Sequence, residues 1–266
     1  LGYVIVENAD FNIRITRDGE PNSYTFNRNN FEMQGLSIDQ DAVKPITVKS
    51  FAMAIRNYEN FIKDSSYSIQ FDSVRFKDDQ FILSNFLFTK MDRGRIQNTF
   101  RVPQFFLEGL SWDDLVFERK LRARSVVMIE PDINFTASAD PKKKQGLFQS
   151  LGTVNEFMDL DQLDIVNGRI DLKLKKDLRV RLENASLSVQ SQSLLSSTRL
   201  AGIKNSLNSL HFDKGIILAG NTTIALHNIR YTGESGKFMA GSILINDSEK
   251  ELHAVLEDMT VDKLSV

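Results

Sequence analysis

The chain has 266 residues, with 33 Lys and Arg against 35 Asp and Glu, 41% hydrophobic residues, five Pro and no Cys. That length and apolar content support a sizeable core, and the near-neutral charge lacks the basic surplus on which nucleic-acid binding depends. The absence of Cys removes disulfide scaffolds, cysteine nucleophiles, zinc ribbons and iron–sulfur sites.

In chain order the dominant period is two. Phe11-Asn-Ile13, Tyr67-Ser-Ile-Gln-Phe71 and Phe81-Ile-Leu83 alternate apolar with polar, as strands with one dry and one wet face do. Ser111-Trp-Asp-Asp114 then reads as the capped start of a short helix running through Leu115 and Phe117. Asp140-Pro141 opens a longer helical segment with Leu147, Phe148, Leu151, Val154, Phe157 and Met158 on one face. Alternation returns in Ile170 to Leu174 and Leu178 to Leu182. Leu200, Ile203, Leu207 and Leu210, at spacings of three and four, predict a third helix before the strand of Ile224 to Leu226. The fold expected is mainly β: an elongated, curved antiparallel sheet, groove-like, with two or three short helices. All Pro lie at or before Pro141, so 1–140 and 141–266 form a possible subdivision of one continuous segment.

The alternation slips in a consistent way. Val6 to Phe11, Leu83 to Phe88, Ile165 to Ile170, Leu182 to Leu187 and Leu226 to Tyr231 each place two polar or small residues between inward positions, with Asn third. One inserted residue, a β-bulge, produces that spacing, and Asn tolerates the left-handed conformation. The expected bulge positions are therefore Asn8, Asn85, Asn167, Asn184 and Asn228. Ordinary bulged hairpins and a true repeat both explain them.

Chemistry is sparse. His211, His227 and His253 have no second ligand at a metal-binding spacing, so no metal site or cofactor is expected. Thr232-Gly-Glu-Ser-Gly-Lys237 lacks the first Gly of a phosphate loop, has Phe238 where Ser or Thr is required, and reads as a hairpin turn. No carboxylate pair is placed across a cleft, and an enzyme is not expected. Ile216 to Gly220 is typical of the longest apolar runs, far short of the roughly 20 residues of a spanning helix. The chain opens on Leu1 without a signal peptide, which suggests a processed product or a section of a longer protein. Nineteen Phe against five Tyr and one Trp spread along the strands, without the aromatic girdles of an outer-membrane barrel.

The stretch from Tyr67 to Phe135 resembles the AsmA-like family of bacterial envelope proteins, in the form found in Bacteroidota. Ser68-Ile-Gln-Phe-Asp-Ser-Val-Arg-Phe76 and Phe81-Ile-Leu-Ser-Asn-Phe-Leu-Phe88 are similar to its paired strands. Phe100-Arg-Val-Pro to Leu115 is similar to its strand-into-helix step, and Leu121 to Phe135, with Pro131 inside, to its Pro-interrupted strand. Leu163 to Leu172 and Ile224 to Tyr231 repeat the rhythm. The resemblance implies an elongated β-groove with an apolar inner face, implicated in outer-membrane integrity and in moving phospholipids. It also implies a periplasmic location and an inner-membrane anchor lying outside this segment.

The reading that follows is a non-enzymatic envelope protein that binds or conducts phospholipid or another acyl-chain ligand, with possible envelope protein partners and no nucleic acid. Expected on the groove face are Phe71, Phe76, Phe86 and Phe88, then Val126, Met128, Ile133 and Phe135. Ile170, Leu172, Val180, Leu182, Leu187 and Val189 complete it. A structural or interaction module of an envelope assembly, without lipid, is the alternative. A hydrolase or carbohydrate-binding β-domain is a distant third.

Overall fold

The computed structural model describes residues 2–17, 20–38, 46–47, 50–62, 67–77, 80–92, 94–110, 121–136, 158–175, 177–190 and 206–263. Its elements are β1 (Tyr3–Arg17), β2 (Glu20–Gln34), β3 (Ser37–Ile38), β4 (Ile46–Thr47), β5 (Ser50–Ile62), β6 (Tyr67–Lys77), β7 (Gln80–Asp92) and β8 (Arg95–Glu108). There follow β9 (Leu121–Ile129), β10 (Asp132–Thr136), β11 (Met158–Lys175), β12 (Leu178–Gln190), β13 (Leu207–Ala219), β14 (Thr222–Thr232), β15 (Lys237–Asp247) and β16 (Leu252–Val261). One sheet holds them in the order β1-β2-β5-β6-β7-β8-β10-β11-β12-β13-β14-β15-β16, with β9 between β8 and β11; β3 and β4 pair separately. Pairing of β8, β9, β10 and β11 carries this sheet across residue 140.

The sheet is mixed, and not antiparallel throughout. β9 and β10 form one interrupted strand, antiparallel to β8 and parallel to β11. Glu130 N–H donates to Val166 O at 2.8 Å and Arg169 N–H to Pro131 O at 2.7 Å, so the ladder continues through the interruption. Alternation reports which face is buried and says nothing of strand direction, so the parallel pair is invisible to it. A parallel return needs a dozen or more residues, and 137–157 supply them.

Helices are not found among the described elements. The helix expected from Ser111 lies outside the described residues, as does the one from Asp140, apart from Met158, which begins β11. Leu200 and Ile203 also lie outside, but Leu207 and Leu210 belong to β13. Leu207 pairs with Val189 and Leu210 with Leu187, with a register shift between Ser188 and Val189. A bulged strand reproduces the i, i+3 spacing of a helix, and that imitation explains the difference.

The bulge grammar organises the whole sheet. Asn8, Asn85, Asn167, Asn184 and Asn228 have φ of 51°, 52°, 54°, 52° and 50°, joined by Arg28, Glu130 and Asp258 at 56°, 51° and 48°. Each left-handed residue breaks the pleat, so two successive side chains turn outward and the strand bends. Because the registers align these positions, the bends join into a crease crossing the sheet from β1 to β16. Where two left-handed residues adjoin in antiparallel strands, the register shifts: at Ala9 between β1 and β2, and at Gly168 between β11 and β12. Asn side chains stitch the crease outside, Asn85 Nδ2 donating to Asp72 at 2.7 Å and Asn184 Nδ2 to Asp213 at 2.8 Å.

Candidate functional site

On the apolar side of the crease a row of side chains is deeply buried along most of its length. The floor row contains Phe86, Val102, Pro131, Gly168, Ala185, Phe212, Ile229, Ala240 and Met259. Val102 and Ala185 are wholly buried and Phe212, Ile229 and Ala240 nearly so. Phe86 leans edge-on to Phe100, centroids 6.0 Å apart, and lies 6.4 Å from Phe105.

Two wings rise from this floor. On the lower wing, one row runs Val74–Leu83–Phe105–Met128–Ile165–Leu187–Leu210–Tyr231–Phe238–Val261. The next runs Phe76–Phe81–Leu107–Val126–Leu163–Val189. On the upper wing, one row runs Ile69–Phe88–Phe100–Ile133–Ile170–Leu182–Gly215–Leu226–Ile243–Leu256. The next runs Phe135–Leu172–Val180–Ile217–Ile224–Ile245–Ala254. At ~4.8 Å per strand, the ten-residue upper row is ~43 Å long. Apart from Gly215, every residue in both upper rows is apolar.

The wings differ in cover. Phe76, Leu107, Val126 and Val189 of the lower wing are buried core, as is Leu110 just after β8. The upper rows are half-buried throughout, except for buried Ile170 and Gly215 and exposed Leu256. Gly215 is needed in its row, since a Cβ there would stand 2.7 Å from the Phe212 ring and 3.2 Å from Leu182.

All fourteen apolar residues expected on the groove face lie on this one face. Phe71 and Phe86 sit at the floor. Phe88, Ile133, Ile170, Leu182, Phe135, Leu172 and Val180 form the upper wing, and Phe76, Val126, Met128, Leu187 and Val189 the lower one. Sequence reasoning passed over Phe100, Val102, Phe212, Ile229 and Ile243. The spacing was there in Phe212-Asp-Lys-Gly215 and Ala240-Gly-Ser-Ile243, with Lys or Ser in place of Asn.

The outer face is clipped by charge, among exposed apolar side chains such as Ile216, Leu218 and Val255. Asp171 accepts from Arg179 at 2.8 and 2.5 Å and from Arg181 at 3.2 Å, binding β11 to β12 behind the upper wing. The Arg179 hydrogen bonds, against the effect of partial burial, hold the Asp171 carboxyl below its ordinary range. An ion pair between Asp132 and Arg169 joins β10 to β11. At the upper rim Asp247 accepts from Thr222 Oγ1 at 2.7 Å and from the Lys250 and Glu249 amides at 3.1 Å. The Thr222 bond and these amides lower its pKa.

The histidines lie apart. His211 stands 3.7 Å from Asp213 in an open outer depression with Glu130, Asn167 and Asn184, while His253 Nδ1 meets Asn246 Oδ1 at 2.5 Å. Among the described residues no group of three or more His, Cys, Asp or Glu could hold a metal ion. No described helix is long and apolar enough to cross a membrane. Thr232 to Lys237 is a turn closing the Tyr231–Phe238 pair, with Gly236 at φ 61°. No family model, curated protein or solved structure matches the chain.

Proposed function

We propose that the protein is a non-enzymatic envelope component that holds and conducts the acyl chains of phospholipids or similar amphiphiles along the creased face. The observation that carries this reading is the upper wing, where two rows, apolar but for Gly215, cross successive strands and are mostly half-buried. Acyl chains would lie on the upper rows, each buried methylene contributing ~0.8 kcal/mol, with headgroups in water at the rim near Asp247 and Thr222. Rows that cross strands give such a chain a path along the sheet with no polar step. The AsmA-like resemblance favours the same function, with periplasmic placement and an inner-membrane anchor supplied elsewhere.

Native mass spectrometry of detergent-free protein, followed by lipid extraction, tests the reading. Co-purified phospholipid is expected, and Phe135→Lys or Phe86→Lys should lose lipid binding and transfer while the fold survives. A lipid-free protein, or unchanged transfer by Phe135→Lys, overturns it. The alternative, an interaction module without lipid, draws on the exposed apolar residues of β16.

A further inference from the structure

The second upper row does not begin at Phe135. Lys90 pairs with Tyr67 and with Asn98, one rung beyond the Ile69–Phe88–Phe100 row, so Lys90 and Asn98 belong to the apolar face. Phe135 stands beside Asn98, two residues past Ile133 on β10, and the backbone N–H of Thr136 donates to Asn98 Oδ1 at 2.8 Å. The row therefore passes from a cation and an amide into seven apolar residues, from Phe135 to Ala254.

These two side chains suit an anion. Asn98 is half-buried, and its Oδ1 is engaged by the Thr136 amide, so its Nδ2 hydrogens are left to donate; no described residue accepts them. Lys90, half-buried on the neighbouring strand, adds a positive charge with three donors. Around them on the same face lie Ile69, Phe88, Phe100 and Phe135. In such surroundings a charge-assisted hydrogen bond is stronger than in water. The rim at β14 and β15 has the opposite sign, since Asp247, two residues beyond Ile245, puts a carboxylate there. Seven strand steps, ~34 Å, separate the two ends.

We propose that Lys90 and Asn98 seat the anionic headgroup of the conducted amphiphile, a phosphate or carboxylate, while its acyl chain runs over Phe135, Leu172 and Val180. The inference rests on the lipid-conducting reading above and adds a substrate class and an orientation to it. Anionic amphiphiles bind with the headgroup at β7 and β8 and the chain pointing toward β12. The reverse orientation brings the headgroup to Asp247, where like charges repel.

Calorimetric titration of the delipidated 266-residue chain with dodecyl phosphate and with dodecanol tests this. The phosphate should bind about tenfold tighter, an advantage that shrinks at high salt. Lys90→Met, which keeps the length of the side chain, should bring the two affinities together, and Lys90→Arg should keep them apart. Asn98→Asp retains an acceptor for the Thr136 amide but loses the donors, and should weaken the phosphate alone. Circular dichroism checks that each variant folds, and Lys90→Gln replaces Lys90→Met if that variant does not. Equal affinities in the native protein, or a phosphate advantage that survives Lys90→Met, overturn the inference and leave the acyl-chain reading standing. Binding of neither probe overturns both. Inorganic phosphate that competes as well as dodecyl phosphate would mean an anion site unconnected to the chain path, and also overturns the inference.

Discussion

Val180 and Val189 are the same residue type on the same strand, and each lies two rungs from the floor of the crease. Val189 is 4% exposed and Val180 is half-buried. Val126 and Phe135, on β9 and β10, repeat the contrast, with only Val126 fully buried. One sheet with one apolar face thus buries more of its side chains fully on the lower wing than on the upper. Side-chain chemistry does not distinguish them; cover does. The difference says where to look for a ligand: on the upper wing, and away from the floor and the buried part of the lower wing, where the same residue types are already used for stability.

The largest effect should come from a charge in the lower wing. Val126→Asp places an unpaired carboxylate at a site 2% exposed and should cost about 4 kcal/mol, enough to lose most of the cooperative thermal transition. Val180→Asp, its counterpart in the upper wing, should cost about 1 kcal/mol and leave a folded protein that no longer retains lipid. Equal destabilisation by the two in urea titrations would erase the distinction between the wings.

Gly215→Val tests how the upper row meets the floor. Its side chain would displace the Phe212 ring, at about 2 kcal/mol, read as a lower urea midpoint. The crease itself is probed at Asn184, where Ala keeps the left-handed backbone at a cost of about 1 kcal/mol and Gly relieves most of it. Ala and Gly variants of equal stability would mean that the bend does not depend on the left-handed residue.

The smallest effect belongs to the clip behind the upper wing. The carboxyl of Asp171 is held below its ordinary range, so its contribution is present above about pH 4 and disappears as pH falls through the lowered value. Asp171→Asn should therefore cost about 1 kcal/mol at neutral pH, with the gap from the native protein closing in acid. A gap that stays constant down to pH 2 would show that the Arg179 and Arg181 bonds do not act through the charge.

Much of the architecture was legible because it is local. Alternation marked β6, β7, β11, β12 and β14, and Asn at the third place of each slip marked left-handed residues in β1, β7, β11, β12 and β14. The start of β13, Leu207 and Leu210, reads as the end of a helix, because a bulge and a helical turn share the spacing of three. The parallel run of β9 and β10 against β11 was illegible, since direction leaves no mark on a one-sided pattern.

The sequence by itself determined which side of β6, β7, β11, β12 and β14 is apolar and where several strands bend, because pleat and left-handed preference act within a few residues. Tertiary structure alone decided that the bends align into one crease, through registers set by hydrogen bonds between distant segments. It alone decided that one wing is more deeply buried than the other, because burial depends on what lies above a side chain, and no residue encodes its own cover.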